Sequence, residues 1–392
     1  MIGADTAWII VASALVLFMT LPGLALFYGG LVRAQNVLSV FLQTYAIACL
    51  VSVLWVVCGY SIAFGEGNEV WGGLSYAFGT GLTVDAVKGT LPEVLFFVFQ
   101  MTFAIITPAL IVGAYVERVT TGFVLVFSAL WVVLVYAPVA HWVWGGGFLS
   151  DGGIFGEQGV RDFAGGIVVH ETAGLAALVL ALMIGVRRER HRPPHSPGYV
   201  MIGAGMLWVG WFGFNGGSQL AADGGAAMAI AVTHLSAAAA SLSWAAWERI
   251  KFGRFSLVGL VTGTIAGLAT ITPASGYVGP QAALVIGAVA GVVCQEAVAL
   301  FRNKLKVDDA LDVFAVHGVG GIIGTVCVAI VGAAGWAAQL GSLAIVGVFT
   351  VVATYVIAKV VGLVVPMRVS EEDEAQGLDL ALHGEQAYDF RS

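Results

Sequence analysis

The chain has 392 residues, of which 59% are hydrophobic and only 10% charged, against about 25% charged in a typical soluble domain. Its 17 Lys and Arg face 24 Asp and Glu, a formal net charge of −7 that offers a nucleic acid no basic platform. Such a composition excludes a water-soluble globular fold and points to an all-α polytopic membrane protein. Apolar runs of roughly 20 residues, the length that crosses a bilayer, recur from one end to the other. Eleven transmembrane helices are predicted, at about 7–32, 38–63, 92–115, 120–142, 164–186, 199–220, 225–247, 256–273, 277–300, 313–333 and 341–365. The first begins almost at Met1 without a basic leader or a small-residue cleavage site, so it reads as a retained helix rather than a signal peptide.

The loops set an orientation. Arg33, Arg118, Arg187, Arg188, Arg190, Arg192, Arg249, Lys251, Arg254, Arg302, Lys304, Lys306, Lys359, Arg368 and Arg391 fall on one side of the series, and only Lys88 and Arg161 on the other. Positive residues stay on the cytoplasmic side, so the N-terminus is expected outside and the tail, 369–392, in the cytoplasm. The basic run RRERHR, 187–192, then reads as a topology-setting loop. Cys49, Cys58, Cys294 and Cys327 all lie within predicted spans without CxxC spacing, and read as buried small apolar residues rather than disulfides or metal ligands.

The first ten spans divide five and five, into units of about 7–186 and 199–333, with a final helix at about 341–365. A unit with an odd number of spans inserts upside down when duplicated, which is how inverted repeats arise in transporters. Short echoes fit this 5+5 plan: GLALFYGG (23–30) with GWFGFNGGS (210–218), and DFAGGIVVH (162–170) with DVFAVHGVGG (312–321). Each half therefore carries one of a matched pair of intramembrane histidines, His170 and His317. The many glycines suit helices packed backbone to backbone.

An ionisable side chain in a span costs several kcal/mol and usually lines an interior path. His170 and His317 either face each other as a proton-passing pair or are unrelated buried histidines bonded to carbonyls; the residues alone leave both readings open. His234, inside a span, and His141, near a span's end, show that position alone does not mark function. His191, His195 and His383 lie in polar segments and read as solvated. Asp162, heading the fifth span, has the chemistry of an N-cap. Glu171 suggests an HExxH zinc site, but Gly174 stands where the second histidine would be, so that reading fails. Walker A, GxSxG and dinucleotide signatures are absent, and a haem held by the two histidines would lack room in a narrow glycine-rich passage. Neither an enzyme nor a cofactor is expected. Phe103, Trp144 and Phe214, near span ends, serve an aromatic belt or, with the Ser218 hydroxyl, a cation site.

FYGGLVRAQN (27–36), FQMTFAIITPALIVGAYVER (99–118), APVAHWVWGGG (137–147), DFAGGIVVH (162–170), GWFGFNGGS (210–218), ITPASGYV (271–278), DDALDVFAVHGVGGIIGT (308–325) and GLDLALHGEQAY (377–388) together resemble the ammonium transporter family (Amt/Mep/Rh), in its prokaryotic Amt branch, over essentially the whole chain. The resemblance implies an eleven-helix homotrimer with one pore per subunit, in the cell inner (cytoplasmic) membrane, that moves ammonium. Trp144, Phe103 and Ser218 look like the family's outer ammonium site, Phe103 and Phe214 its phenyl gate, His170 and His317 its pore histidines, and Asp162 its structural aspartate. The tail is similar to a regulatory segment that takes a PII-type partner. An ammonium sensor with little transport is the alternative. Glu171 departs from the pattern: it stands beside the first pore histidine, where most relatives carry an apolar or small residue, and is expected either to point away from the pore and pair with a neighbouring helix or subunit, or to take part in the proton relay. The loop 150–161 is long for the family.

Overall fold

The computed structural model describes residues 1–190 and 192–388; His191 and Arg391, assigned above to a solvated segment and the cytoplasmic side, lie outside the described residues. Eleven helical segments form the bundle: α1 (Gly3–Leu31), α2 (Ala34–Phe64), α3 (Glu93–Tyr115), α4 (Thr121–Trp144), α5 (Gly166–Ile184), α6 (Pro197–Trp211, continued by a π-turn, Phe212–Gly216), α7 (Gly224–Phe252), α8 (Leu257–Ala274), α9 (Pro280–Lys304), α10 (Phe314–Ile330) and α11 (Trp336–Gly362). Among the described residues, nine of these are long and apolar enough to cross a membrane. The fold is all-α and polytopic. Two short helices, α12 (Glu371–Gln376) and α13 (Leu378–His383), follow in the tail, and a short antiparallel ladder, Val87–Lys88 with Leu91–Pro92, lies between α2 and α3.

Helix ends follow capping chemistry rather than hydropathy. The Thr120, Ser196, Asp223 and Ser256 side chains accept bonds from backbone N–H groups of the first turns of α4, α6, α7 and α8, donors that would otherwise be unpaired. α7 runs on to Phe252, past the predicted end at 247, until Gly253 stops it in the left-handed region at φ 77°. A hydropathy window registers the apolar centre of a span; the chain stays helical through Arg249 and Lys251 until a residue that tolerates positive φ ends it.

Packing sets the site's frame. α1 lies on α6, α3 on α5, α5 on α10 and α11, and α7 on α8 and α9. The largest enclosed side chains include Trp55, Trp131 and Trp211. Cys49 corrects the reading of four buried cysteines: it is exposed, Cys58 and Cys327 are half-buried, Cys294 is buried, and all four are free thiols. A bundle embedded in lipid can present a small apolar side chain outward at no cost, so span membership does not imply enclosure.

Candidate functional site

The site is built on the heads of α5 and α10. The Asp162 carboxylate, 5% exposed, accepts hydrogen bonds from the backbone N–H groups of Gly165 (2.9 Å), Gly166 (2.6 Å), Ile167 (2.8 Å) and Val168 (3.0 Å). That turn needs Gly165, whose φ is 115°. At the head of α10 the Asp309 carboxylate accepts from Phe314 N at 2.7 Å. Both helices begin with a π-turn, Gly166–Glu171 and Phe314–Gly318, and each π-turn carries one of the matched histidines. Such turns widen the helix and re-aim its side chains.

His170 and His317 are 1% and 3% exposed, and their Nδ1 atoms are 3.2 Å apart. Their rings lie at 22° with centroids 5.2 Å apart. Two facing Nδ1 atoms share one proton, one ring donating and the other accepting. Glycine permits the approach: a Cβ on Gly174 would stand 2.4 Å from Gly318 Cα. Trp211 stacks on His170 at 5.5 Å and donates from Nε1 to Thr272 Oγ1 at 2.9 Å. Trp211 was not among the sequence candidates. Its signal was the WFGF spacing, which sets Trp211 three residues from Phe214.

From the histidines a file of rings leads to one end of the bundle. The Phe214 ring lies 6.0 Å from His170 and is stacked on Phe103 at 4.1 Å and 18°. Phe103 meets Trp144 edge-on at 6.2 Å. The two phenyl rings are buried, whereas Trp144 and Ser218 are partly exposed. Trp144 donates from Nε1 to the Asp162 carbonyl at 2.8 Å, and Ser218 donates its hydroxyl to the Phe214 carbonyl at 2.8 Å. The Ser218 oxygen keeps lone pairs for an N–H donor. On the other side of the pair, His317 lines a cavity of about 370 Å³ bordered by Arg33, Glu117, Arg187, Arg302 and Asp312. Trp144, Phe103, Phe214, His170 and His317 thus form one continuous series of ring contacts. Glu171 does not join it: it is 2% exposed and lies against Gly347 of α11, and no hydrogen bond reaches its Oε2. Among the described residues no hydrogen bond or ion pair joins Glu171 to a neighbouring helix, and at Gly347 α11 offers it no side chain.

The basic run reads differently in three dimensions. Arg187 bridges Glu117 (2.9 Å) and Asp308 (3.0 Å), and Arg33 joins Glu117 at 3.3 Å. Burial pushes the Glu117 carboxyl up, but the Arg187 and Arg33 guanidiniums, with hydrogen bonds from Arg33 N and Asn36, hold it below the usual carboxylate range. The tail folds onto this cluster: Glu374 accepts from Arg188 N (2.6 Å) and pairs with Arg368 (2.9 Å). Asp379 accepts from Leu38 N and Ser39 N at the head of α2. His195 and His383 are therefore half-buried and bonded rather than solvated, His195 between the Val32 carbonyl (2.9 Å) and the Tyr388 hydroxyl (3.2 Å), His383 at 3.4 Å from Thr121 Oγ1. In the long loop, Arg161 pairs with Asp151 at 2.8 Å, and Gln158 donates to the Ala333 carbonyl.

Residues 7–388 match the model of the Ammonium Transporter Family. The chain is 44% identical to the ammonium transporter of Bacillus subtilis, over 98% of each chain. It is 42% identical to the ammonium transporter Amt1 of Archaeoglobus fulgidus, over 98% of this chain and 99% of that one. Among solved structures it is similar to a sensor Amt protein (TM-score 0.89, 29% identity, 97% and 98% covered) and to Mep2 of Candida albicans (TM-score 0.84, 34% identity, 94% and 87% covered).

Proposed function

Because the chain belongs to the ammonium transporter family, we propose that it takes up ammonium by separating the ion into ammonia and a proton inside the pore. The observation that carries this reading is the unbroken file from Trp144 through Phe103 and Phe214 to His170 and His317. Trp144, Phe103 and Ser218 form the receiving site, where aromatic faces attract a cation and the Ser218 oxygen replaces a water. The stacked phenyl rings form the gate. Beyond them the passage is apolar, and an intact ion would lose its hydration without compensation. Deprotonation removes that cost: neutral ammonia crosses, and the proton moves along the Nδ1–Nδ1 contact of His170 and His317 to the cavity on the far side. Asp162 holds the first histidine's turn and adds negative potential below the receiving site. Transport is electrogenic, since the charge reappears with the product, and no step makes or breaks a covalent bond other than N–H, so the protein is a transporter and not an enzyme.

The remaining assignments follow the same reading. Residues 1–368 form the transport domain, as an inverted pair of five-helix repeats plus α11, and 369–392 the regulatory tail. The Arg33, Arg187 and Arg302 end faces the cytoplasm of a cell inner membrane, with the N-terminus outside. The protein assembles as a homotrimer, and the docked tail is the surface for a PII-type regulatory protein. A sensor function is the second reading, favoured by the similarity to a sensor Amt protein. The deciding experiment records current from proteoliposomes on a solid-supported membrane after an ammonium pulse, for the native protein, His170→Ala and protein-free vesicles. A native current that is lost or altered in His170→Ala supports the relay. Ammonium binding without current favours the sensor.

A further inference from the structure

Glu171 follows His170 directly, so their α-carbons are about 3.8 Å apart. Its carboxyl lies where α11 passes: a Cβ on Gly347 would stand 3.1 Å from Glu171 Oε1, and Oε2 has no hydrogen-bond partner. Among the described residues, no Lys or Arg pairs with it. The titratable groups on the elements around it are few. Asp162 heads its own helix, His317 heads α10, α4 brings Tyr136 and His141, and α3 carries Glu93 and Tyr115 only at its two ends. His141 is bonded through both ring nitrogens, to the Ala63 and Asn68 carbonyls. On its buried face α11 contributes no charge, only Gln339, Ser342, Thr350 and Thr354.

A carboxyl enclosed in this way is tolerated as the neutral acid and unsupported as the anion. Filling space needs no acid, since Gln or Leu would serve. What the acid adds is a reversible charge one residue from the histidine pair, in surroundings with no counter-ion to screen it. We infer that Glu171 is a proton-binding site that sets the pH range over which His170 and His317 pass a proton. Its carboxylate takes one proton on Oε2 and releases the same one. Ionised, it favours a proton on the pair; neutral, it withdraws that support. Glu171 is thus a positioning residue acting through His170, and the inference rests on the relay reading of the preceding subsection.

The test compares the pH profile of the ammonium current for the native protein, Glu171→Gln and Glu171→Asp, beside infrared difference spectra of each across the same pH series. Glu171→Gln mimics the neutral acid permanently. It should still carry current, but with its half-maximal pH lowered by about one unit, while Glu171→Asp keeps the native profile. The native protein should show a carboxylic-acid carbonyl band that titrates with the current and is missing in Glu171→Gln. Superimposable native and Glu171→Gln profiles overturn the inference, as does the absence of a titrating acid band. Should Glu171→Gln fail to assemble, the native and Glu171→Asp spectra decide by the same band. A native protein without current sinks the relay reading instead, and the infrared titration still judges Glu171 as a proton site.

Discussion

A single carboxylate, that of Asp162, holds four backbone donors, so its chemistry is more demanding than its charge. Asp162→Asn turns one oxygen into an NH2 group that faces two N–H groups with nothing to accept them. At about 1–3 kcal/mol for each orphaned donor, the variant should lose about 3 kcal/mol or more, read as a lower unfolding temperature in detergent, and its ammonium current should fall because the His170 turn is no longer fixed. Native stability in Asp162→Asn would show that the four bonds are dispensable. Glu117 supports a pH prediction. Its folded-state carboxyl is held below the ordinary range by Arg187 and Arg33 against the upward push of burial, so the native form binds fewer protons than the unfolded chain. The contribution is complete above the ordinary Glu value of about 4.3 and is lost as pH falls through the lower folded value. Native protein should therefore lose unfolding temperature on acidification below about pH 4 more steeply than Glu117→Gln, a comparison one pH series of melts provides. Arg187→Ala removes the bridge between two buried carboxylates, leaving Glu117 to Arg33 and Asp308 to a longer 3.8 Å contact with Arg190, and the same melts at neutral pH should show a lower unfolding temperature.

Among the helices, α5 and α10 meet through glycine: a methyl added at Gly174 would overlap Gly318 Cα at 2.4 Å. Backbone cannot yield as a flexible side chain does, so Gly174→Ala should part the two helices and open the 3.2 Å histidine contact. The expected result is a large loss of current in a protein that still reaches the membrane; an unchanged current would show that the pair tolerates separation. The number and centres of the helices were legible in the sequence because bilayer thickness fixes how long an apolar run must be. Their ends were not, since α7 passes its hydropathy boundary until Gly253 stops it. Nor were the π-turns legible that carry His170 and His317, because an apolar segment reads alike at either helical period. Trp211 was missed because an aromatic residue near a span's end suits a membrane belt as well as a pore wall. The Glu117 cluster was missed for another reason: its partners lie 70 to 121 residues apart along the chain, and only the packed ends of α3, the 187 loop and the 308 segment bring them together.

In the whole bundle, α7 holds a residue that a lone subunit leaves unexplained. His234 stands mid-span yet is exposed on the lateral surface, stacked at 5.1 Å on Trp208, whose Nε1 has no partner. A polar ring facing hydrocarbon is costly, and around it the same outward stripe is small, with Ala227, Ala231 and Ala238 exposed or half-buried. Small residues flanking a polar one are how membrane helices from different subunits approach closely, so this face suits the contact between copies in the proposed homotrimer. Ala231→Arg places a long charged side chain in the stripe without touching the histidine file or the ion cluster. Native mass spectrometry should find the unaltered protein as trimers and Ala231→Arg largely as monomers. The isolated copies should retain the native helical content by circular dichroism, because Ala231 is exposed on the surface of its own subunit. Trimers that persist in Ala231→Arg would move the contact to another face and leave His234 facing lipid, an arrangement whose energetic cost would then need a different partner.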